Sequence, residues 1–165
     1  MAEIYLSLGS NLGDRAQALA TARTRLQHQG WLRLTRCSPL YESEPWGPVA
    51  QPPYLNQVCR GQSDLPPRVL LRWLQAVERQ GGRCRATEQR WGPRPIDIDL
   101  LAYNGSQWHD HALTLPHPRL HERRFVLRPW ADIAPEWWHP RLGKTVRQLL
   151  AETTDAGYVG RLTMA

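Results

Sequence analysis

Residues 90–101 read RWGPRPIDIDLL. The apolar residues Ile96, Ile98 and Leu100 alternate with Asp97 and Asp99, a period of two that predicts a strand from Ile96 to Tyr103 with one apolar and one acidic face. Side chains two apart in a strand point to the same side, about 7 Å from each other. The two carboxylates therefore stand together and repel. Left bare and partly buried, one of them takes up a proton near neutral pH, whereas divalent cations between them remove the conflict and seat phosphate oxygens. Oxygen ligands without a His/Cys cluster select Mg²⁺. Arg83, Arg85, Arg90 and Arg94 crowd the approach to this strand, and Gly92-Pro93 sets its entry. Cations with arginine forks are the equipment of phosphoryl transfer. A solvated polar face is the alternative for an isolated DxD, and the arginines weigh against it.

Working outward, Ile4, Leu6 and Leu8 alternate with polar neighbours and predict a strand that ends at Gly9-Ser10-Asn11. A helix follows with Asp14 as N-cap and Gly30 as its stop. Residues 31–41 read as a second strand. The stretch ESEPWGPVAQPP at 42–53 is a long Pro-rich loop, and Tyr54 to Ser63 returns to strand character. Asp64-Leu65-Pro66-Pro67 supplies a cap and first-turn prolines for a helix carrying Leu70, Leu74 and Val77, which Gly81-Gly82 ends. The irregular segment 81–95 is glycine-led and short of apolar anchors, and is expected to be mobile and to close over a polyphosphate. Asn104-Gly105 is a type I′ hairpin signal into a further strand. The order β-α-β-β-α-β predicts an α+β, ferredoxin-like split βαβ sheet, antiparallel, with helices packed on it. The remainder, Pro- and Trp-rich with a short helix over Thr145 to Leu150, is expected to cover the sheet within a single domain spanning 1–165.

Composition sets the class of partner. The formal net charge is +6, mostly from arginine, and there are eight tryptophans. An anionic, flat, phosphate-bearing ligand fits both facts, and so does nucleic acid. The three cysteines Cys37, Cys59 and Cys84 show neither metal-ligand nor disulfide-framework spacing, which reads as thiols in a reducing cytoplasm. The N-terminal stretch lacks a basic region ahead of an apolar core, and no run reaches the length of a membrane span. The GSNLG stretch at 9–13 matches neither phosphate-loop spacing and reads as a strand-to-helix turn, with Asn11 reaching toward the site. Tyr54, Phe125, Trp46 and Trp91 offer faces for a flat heterocycle, with Asn56 to read its polar edge.

Four stretches carry a resemblance: GSNLG at 9–13, QPPYLN at 51–56, RWGPRPIDIDLL at 90–101 and PHPRLHERRFVL at 116–127. In this order and spacing the chain resembles the 6-hydroxymethyl-7,8-dihydropterin pyrophosphokinases of folate biosynthesis, from about residue 4 to residue 150. The resemblance implies a ferredoxin-like fold, ATP as co-substrate and two Mg²⁺, small-molecule partners with neither nucleic acid nor membrane, and a monomer. It implies that Asp97 and Asp99 hold the metals and that Arg83 and Arg94 contact the phosphates during transfer. Ser43, Glu44, Trp46, Tyr54, Asn56 and Phe125 would bind the pterin. Gln75, Glu78, Arg85, Trp91, Ile98, His117 and Arg123 would lie on the ATP side. Two other readings remain. A nucleotidyltransferase also pairs Gly-Ser with DxD, but on adjacent elements, whereas Ser10 and Asp97 lie far apart here. A non-catalytic nucleic-acid-binding module accounts for charge and aromatics but leaves the two aspartates where phosphates should go.

Overall fold

The structure, a computed structural model, describes residues 1–45, 47–84 and 92–163. In chain order the elements are β1 (Ala2–Ser10), α1 (Arg15–His28), β2 (Leu32–Cys37), β3 (Tyr41–Ser43), β4 (Tyr54–Ser63), α2 (Pro67–Gln80), β5 (Asp97–Tyr103), β6 (Trp108–His109), β7 (Thr114–Leu115), α3 (Arg124–Ile133), β8 (Trp138–His139), β9 (Lys144–Thr145), α4 (Val146–Glu152) and β10 (Val159–Arg161). The main sheet runs β10-β3-β4-β1-β5, with β2 also paired to β4. Its pairings are antiparallel. β4 lies between β1 and β2/β3, and β1 lies between β4 and β5, which is the split βαβ arrangement expected of the sequence. Among the described residues no helix is long and apolar enough to cross a membrane.

Period-two alternation divides the sheet into two apolar clusters. On one face Ile4, Leu6 and Leu8 of β1 and Ile98 and Leu100 of β5 meet Leu19 and Leu26 of α1 and Leu70, Leu74 and Val77 of α2. Each such fully buried aliphatic side chain contributes roughly 1.5–3 kcal/mol. The opposite face is covered over half its extent, where Tyr5, Val58 and Leu101 pack beneath Val126, Leu127 and Trp130 of α3 and Val146 and Leu149 of α4. The final third of the chain thus covers part of the second face, as its Trp-rich composition suggests.

Local signals act as expected at several ends. Asp14 accepts from the Gln17 N–H and caps α1, and Thr145 with Gln148 forms a capping box at α4. At Gly81 a Cβ would sit 2.7 Å from Ile96 Cγ2, so the α2 terminus reaches the entry of β5 only because that residue has no side chain.

Four expectations are corrected. The strand predicted over 31–41 is two strands, because Ser38-Pro39-Leu40 leaves the ladder and Pro39 has no N–H to offer it. Pro66, not Asp64, is the N-cap residue of α2, without a side-chain cap bond; Asp64 lies 3.6 Å from the N-terminal amine. Asn104 and Gly105 do form a turn with positive φ, 54° and 66°, but β6 pairs with β7 and does not fold back onto β5. Finally, Cys37 and Cys59 are joined as a disulfide across the β2–β4 pair, where register alone sets them opposite each other.

Candidate active site

The half of the second face left open by α3 and α4 is a cleft of about 300 Å³. Register explains its floor. Gly9 on the central strand pairs with Asn56 on one side and Asp97 on the other, and Ser7 pairs with Val58 and Asp99. Cross-strand partners share a face, so two positions of β1 with little or no side chain, Ser7 and Gly9, lie between the acidic strand and the amide-bearing strand. Large residues there would fill the cleft.

Asp97 and Asp99 project together into this cleft, while Ile96, Ile98 and Leu100 are buried toward α1 and α2. Burial first, and then the charge of Asp97, push the Asp99 carboxyl up to about 7, against the opposing pull of Arg123. The like-charge conflict read from the strand pattern is therefore present in the fold. Arginines lean on the pair: Arg83 donates to Asp97 Oδ1 at 2.7 Å, Arg94 reaches Asp97 Oδ2 at 3.5 Å, and Arg123 stands 3.6 Å from Asp99 Oδ2. Arg83 also donates to the buried Glu78 carboxylate, whose Oε2 accepts from the Ile98 N–H at 2.9 Å.

Residues expected at the site thus fall into three groups. Ser43, Glu44, Tyr54, Asn56, Phe125, Arg94, Asp97, Asp99, His117 and Arg123 converge on the cleft. Arg83, Glu78, Ile98 and Gln75 are not among its lining residues; Arg83 and Glu78 form a buried layer behind Asp97, and the Ile98 side chain belongs to the core. Trp46, Arg85, Arg90 and Trp91, with residues 85–91 of the segment expected to close over the ligand, lie outside the described residues. Asn11 does not face the cleft. Its amide donates to Gln51 Oε1 and the Pro52 carbonyl and accepts from the Arg94 N–H, tying the 50–53 loop to the entry of β5. Sequence reading did not single out Ser7, Gly9 or Arg119 as lining residues. The available signal was the smallness of Ser7 and Gly9 on the polar side of an otherwise apolar strand.

At the other end of the cleft stand Tyr54, on β4, and Phe125, in the first turn of α3. Asn56 Nδ2 donates to Ser43 Oγ at 2.6 Å, which fixes the plane of its amide between them. His117 has its pKa lowered to about 4, chiefly by burial and then by Arg123. Its Nδ1 accepts from the Arg119 N–H, so the neutral ring carries its proton on Nε2 and presents a donor.

The cleft thus has an acid pair and arginines at one end and an aromatic pair with an amide at the other. The family model described as 7,8-dihydro-6-hydroxymethylpterin-pyrophosphokinase matches residues 5–135. The chain belongs to the 7,8-dihydro-6-hydroxymethylpterin-pyrophosphokinase family. A relative from Methylorubrum extorquens named 2-amino-4-hydroxy-6-hydroxymethyldihydropteridine pyrophosphokinase is 43% identical over 157 residues, covering 95% of this chain and 97% of its own. One of the same name from Porphyromonas gingivalis is 44% identical over 142 residues, 85% and 95% of the two chains. A solved structure of Plasmodium falciparum HPPK-DHPS with pteroate superposes with a TM-score of 0.72 at 15% identity, and this pyrophosphokinase-family chain spans 44% of its length. That likeness concerns the fold.

Proposed function

We propose that this chain transfers the terminal pyrophosphoryl group of ATP to the hydroxymethyl oxygen of 6-hydroxymethyl-7,8-dihydropterin, a step in the synthesis of folate. The observation that carries the reading is the presence, in one cleft, of Asp97 and Asp99 ringed by Arg94 and Arg123 and, at its other end, of Tyr54, Phe125 and Asn56.

The donor set fits Mg²⁺. The ligands are hard oxygens side by side on one strand face, and burial first, then the charge of Asp97, disfavours the ionised form of Asp99, a conflict that a divalent cation would relieve. Among the described residues no group of three His, Cys, Asp or Glu side chains forms a complete cage, which suits a cation that shares phosphate oxygens and water. Asp97 and Asp99 would hold two such ions, which when bound neutralise the phosphate oxygens and align the phosphorus with its acceptor. Arg94 and Arg123, close to the carboxylates here, supply planar forks to the same oxygens. His117 donates from Nε2 as a neutral ring and so adds a hydrogen bond without taking the substrate's proton. Tyr54 and Phe125 stack on the pterin faces, and Asn56 with Ser43 meets its polar edge. The pterin hydroxyl oxygen then bonds to the β-phosphorus, the bond from that phosphorus to the α–β bridging oxygen breaks, AMP leaves, and the hydroxyl proton passes to solvent. Catalysis on this account is positioning and charge neutralisation with no dedicated base.

Incubation with ATP, Mg²⁺ and the hydroxymethyldihydropterin should give AMP and a pterin heavier by two phosphoryl units, measured by mass spectrometry. Release of inorganic pyrophosphate in place of AMP would instead mark nucleotidyl transfer.

A further inference from the structure

The family model ends at Pro135, yet the chain returns to the pterin end of the cleft after α4. Residues 158–162 lie along the edge of β3. Val159, Gly160 and Arg161 pair with Ser43, Glu42 and Tyr41, the Glu44 N–H bonds the Tyr158 carbonyl at 3.3 Å, and the Leu162 N–H bonds the Leu40 carbonyl at 2.8 Å. This strap also reaches α3. The N-cap residue of that helix, Arg123, has no side-chain cap bond, and the exposed N–H of Arg124 is taken instead by Asp155 Oδ2 at 2.9 Å. A carboxylate here satisfies an orphan helix donor and faces the positive end of the helix dipole. The second oxygen, Oδ1, accepts from the Gly157 N–H at 2.9 Å. A Cβ on Gly157 would lie 3.1 Å from that oxygen, a tight contact to which Oδ1 would have to yield.

Phe125 is the residue after Arg124, and Glu44 follows Ser43. Asp155 and its turn therefore join the two walls of one slot: the first turn of α3, which carries the aromatic ring, and the strand end that carries the polar edge. The far end of α3 is tied to the same strand by Tyr41, whose hydroxyl donates to Asp132, while Arg128 holds the other Asp132 oxygen at 2.8 Å. With α3 fixed at both ends against β3, the gap between Phe125 and Tyr54 is set by the strap.

We infer that Asp155 is a positioning residue for the pterin slot, acting through the first turn of α3 and the end of β3 without touching the phosphate end of the cleft. The inference rests on the proposed placement of the pterin between Tyr54 and Phe125.

The test is steady-state kinetics of Asp155→Ala, Asp155→Asn and Gly157→Ala, with KM for pterin and for ATP measured separately and folding checked by thermal melt. Asp155→Ala should raise the pterin KM roughly tenfold, about the worth of one charge-assisted hydrogen bond, with kcat and the ATP KM within about twofold. Asp155→Asn keeps one acceptor oxygen and should recover part of the loss. Gly157→Ala pushes on Oδ1 and should show the same split. If Asp155→Ala does not fold, the other two variants read the split alone. A pterin KM within twofold of the parent, equal rises in both KM values, or a fall in kcat alone overturns the role of Asp155. Phe125→Ala in parallel separates the two readings: if it leaves the pterin KM unchanged, the slot itself is misassigned, and if it raises that KM while the Asp155 and Gly157 variants do not, only the strap is.

Discussion

The two faces of the central sheet are built from the same strands and differ in what covers them. Toward α1 and α2, Ile4, Leu6 and Leu8 of β1 and Ile98 and Leu100 of β5 meet aliphatic side chains. Toward α3 and α4 the cover stops short, and the uncovered half holds Ser7, Gly9, Asn56, Asp97 and Asp99. A single strand, β5, thus sends Ile98 and Leu100 into a dry core and Asp97 and Asp99 into a polar cleft. Period-two geometry lets stability and chemistry be specified at adjacent positions without competing for the same space.

That separation is testable by substitutions on β5 and β1. Asp99→Asn or Asp97→Asn should lower pterin-dependent AMP formation by about a thousandfold or more, because the charge that holds the cations is halved. For Asp99→Asn the melting temperature should stay near the parent value or rise, since a carboxyl whose ionisation the fold already disfavours is removed. Turnover within tenfold of the parent would show that the reaction does not use this face. The reverse pattern is expected on the other side. Leu6→Ala, at a fully buried position paired with Leu100, should cost about 2–5 kcal/mol in denaturant unfolding. Activity per folded molecule should remain close to that of the parent, and a selective loss of turnover would show that the two faces are coupled.

Alternation made much of this legible. Ile4, Leu6 and Leu8, and Ile98 with Leu100, announce their strands and their buried side without any knowledge of partners. Asp97 and Asp99 announce a charge conflict that the fold retains. Pairing register is a different matter, because it is set by residues distant in the chain. Nothing local places Cys37 opposite Cys59, Ser7 beside Asp99 or Gly9 beside Asp97. The Asn104-Gly105 turn was legible and its continuation was not, since β6 finds its partner in β7. Glu78 and Arg83 carry the same chemistry as the cleft residues, yet α2 sets the one beneath β5 and its C-terminal turn the other, as a buried pair behind Asp97. Asp155, thirty-one residues beyond the helix start it caps, has no local signature at all.

A smaller effect sharpens the contrast between support and site. Asp14 caps α1 on the covered side, so Asp14→Ala should reduce stability by about 1 kcal/mol. Neither KM should change, in contrast to Asp155, which caps a helix whose first turn borders the cleft. A shifted pterin KM in Asp14→Ala would mean that any loosened helix perturbs the slot, and the distinction between the two caps would fail.

The finest comparison is between two histidines held neutral for similar reasons in different halves of the second face. His139, on β8, is fully buried beside Trp137; its Nδ1 accepts from the Arg141 and Leu142 N–H groups, and its pKa is lowered to about 4 by burial first and then by Arg141 and His121. His117, in the cleft, is lowered to about 4 by burial first and then by Arg123. For either residue, both folded and unfolded states are neutral well above pH 6.5, so the shift has no effect on stability there. As pH falls through 6.5 the unfolded chain binds a proton that the fold refuses, and stability declines until about pH 4, where the folded imidazole also protonates. Replacing His139 with Gln should flatten the acid-side slope by up to about 1.4 kcal/mol per pH unit, about 3 kcal/mol across the window from pH 6.5 to 4, in denaturant unfolding. Turnover at pH 7 should not change, because that ring lies under the covered half. His117→Gln should flatten the same window and also lower turnover, since that ring lines the cleft. If both variants behave alike in turnover, the boundary between the covered half and the working half has been drawn in the wrong place.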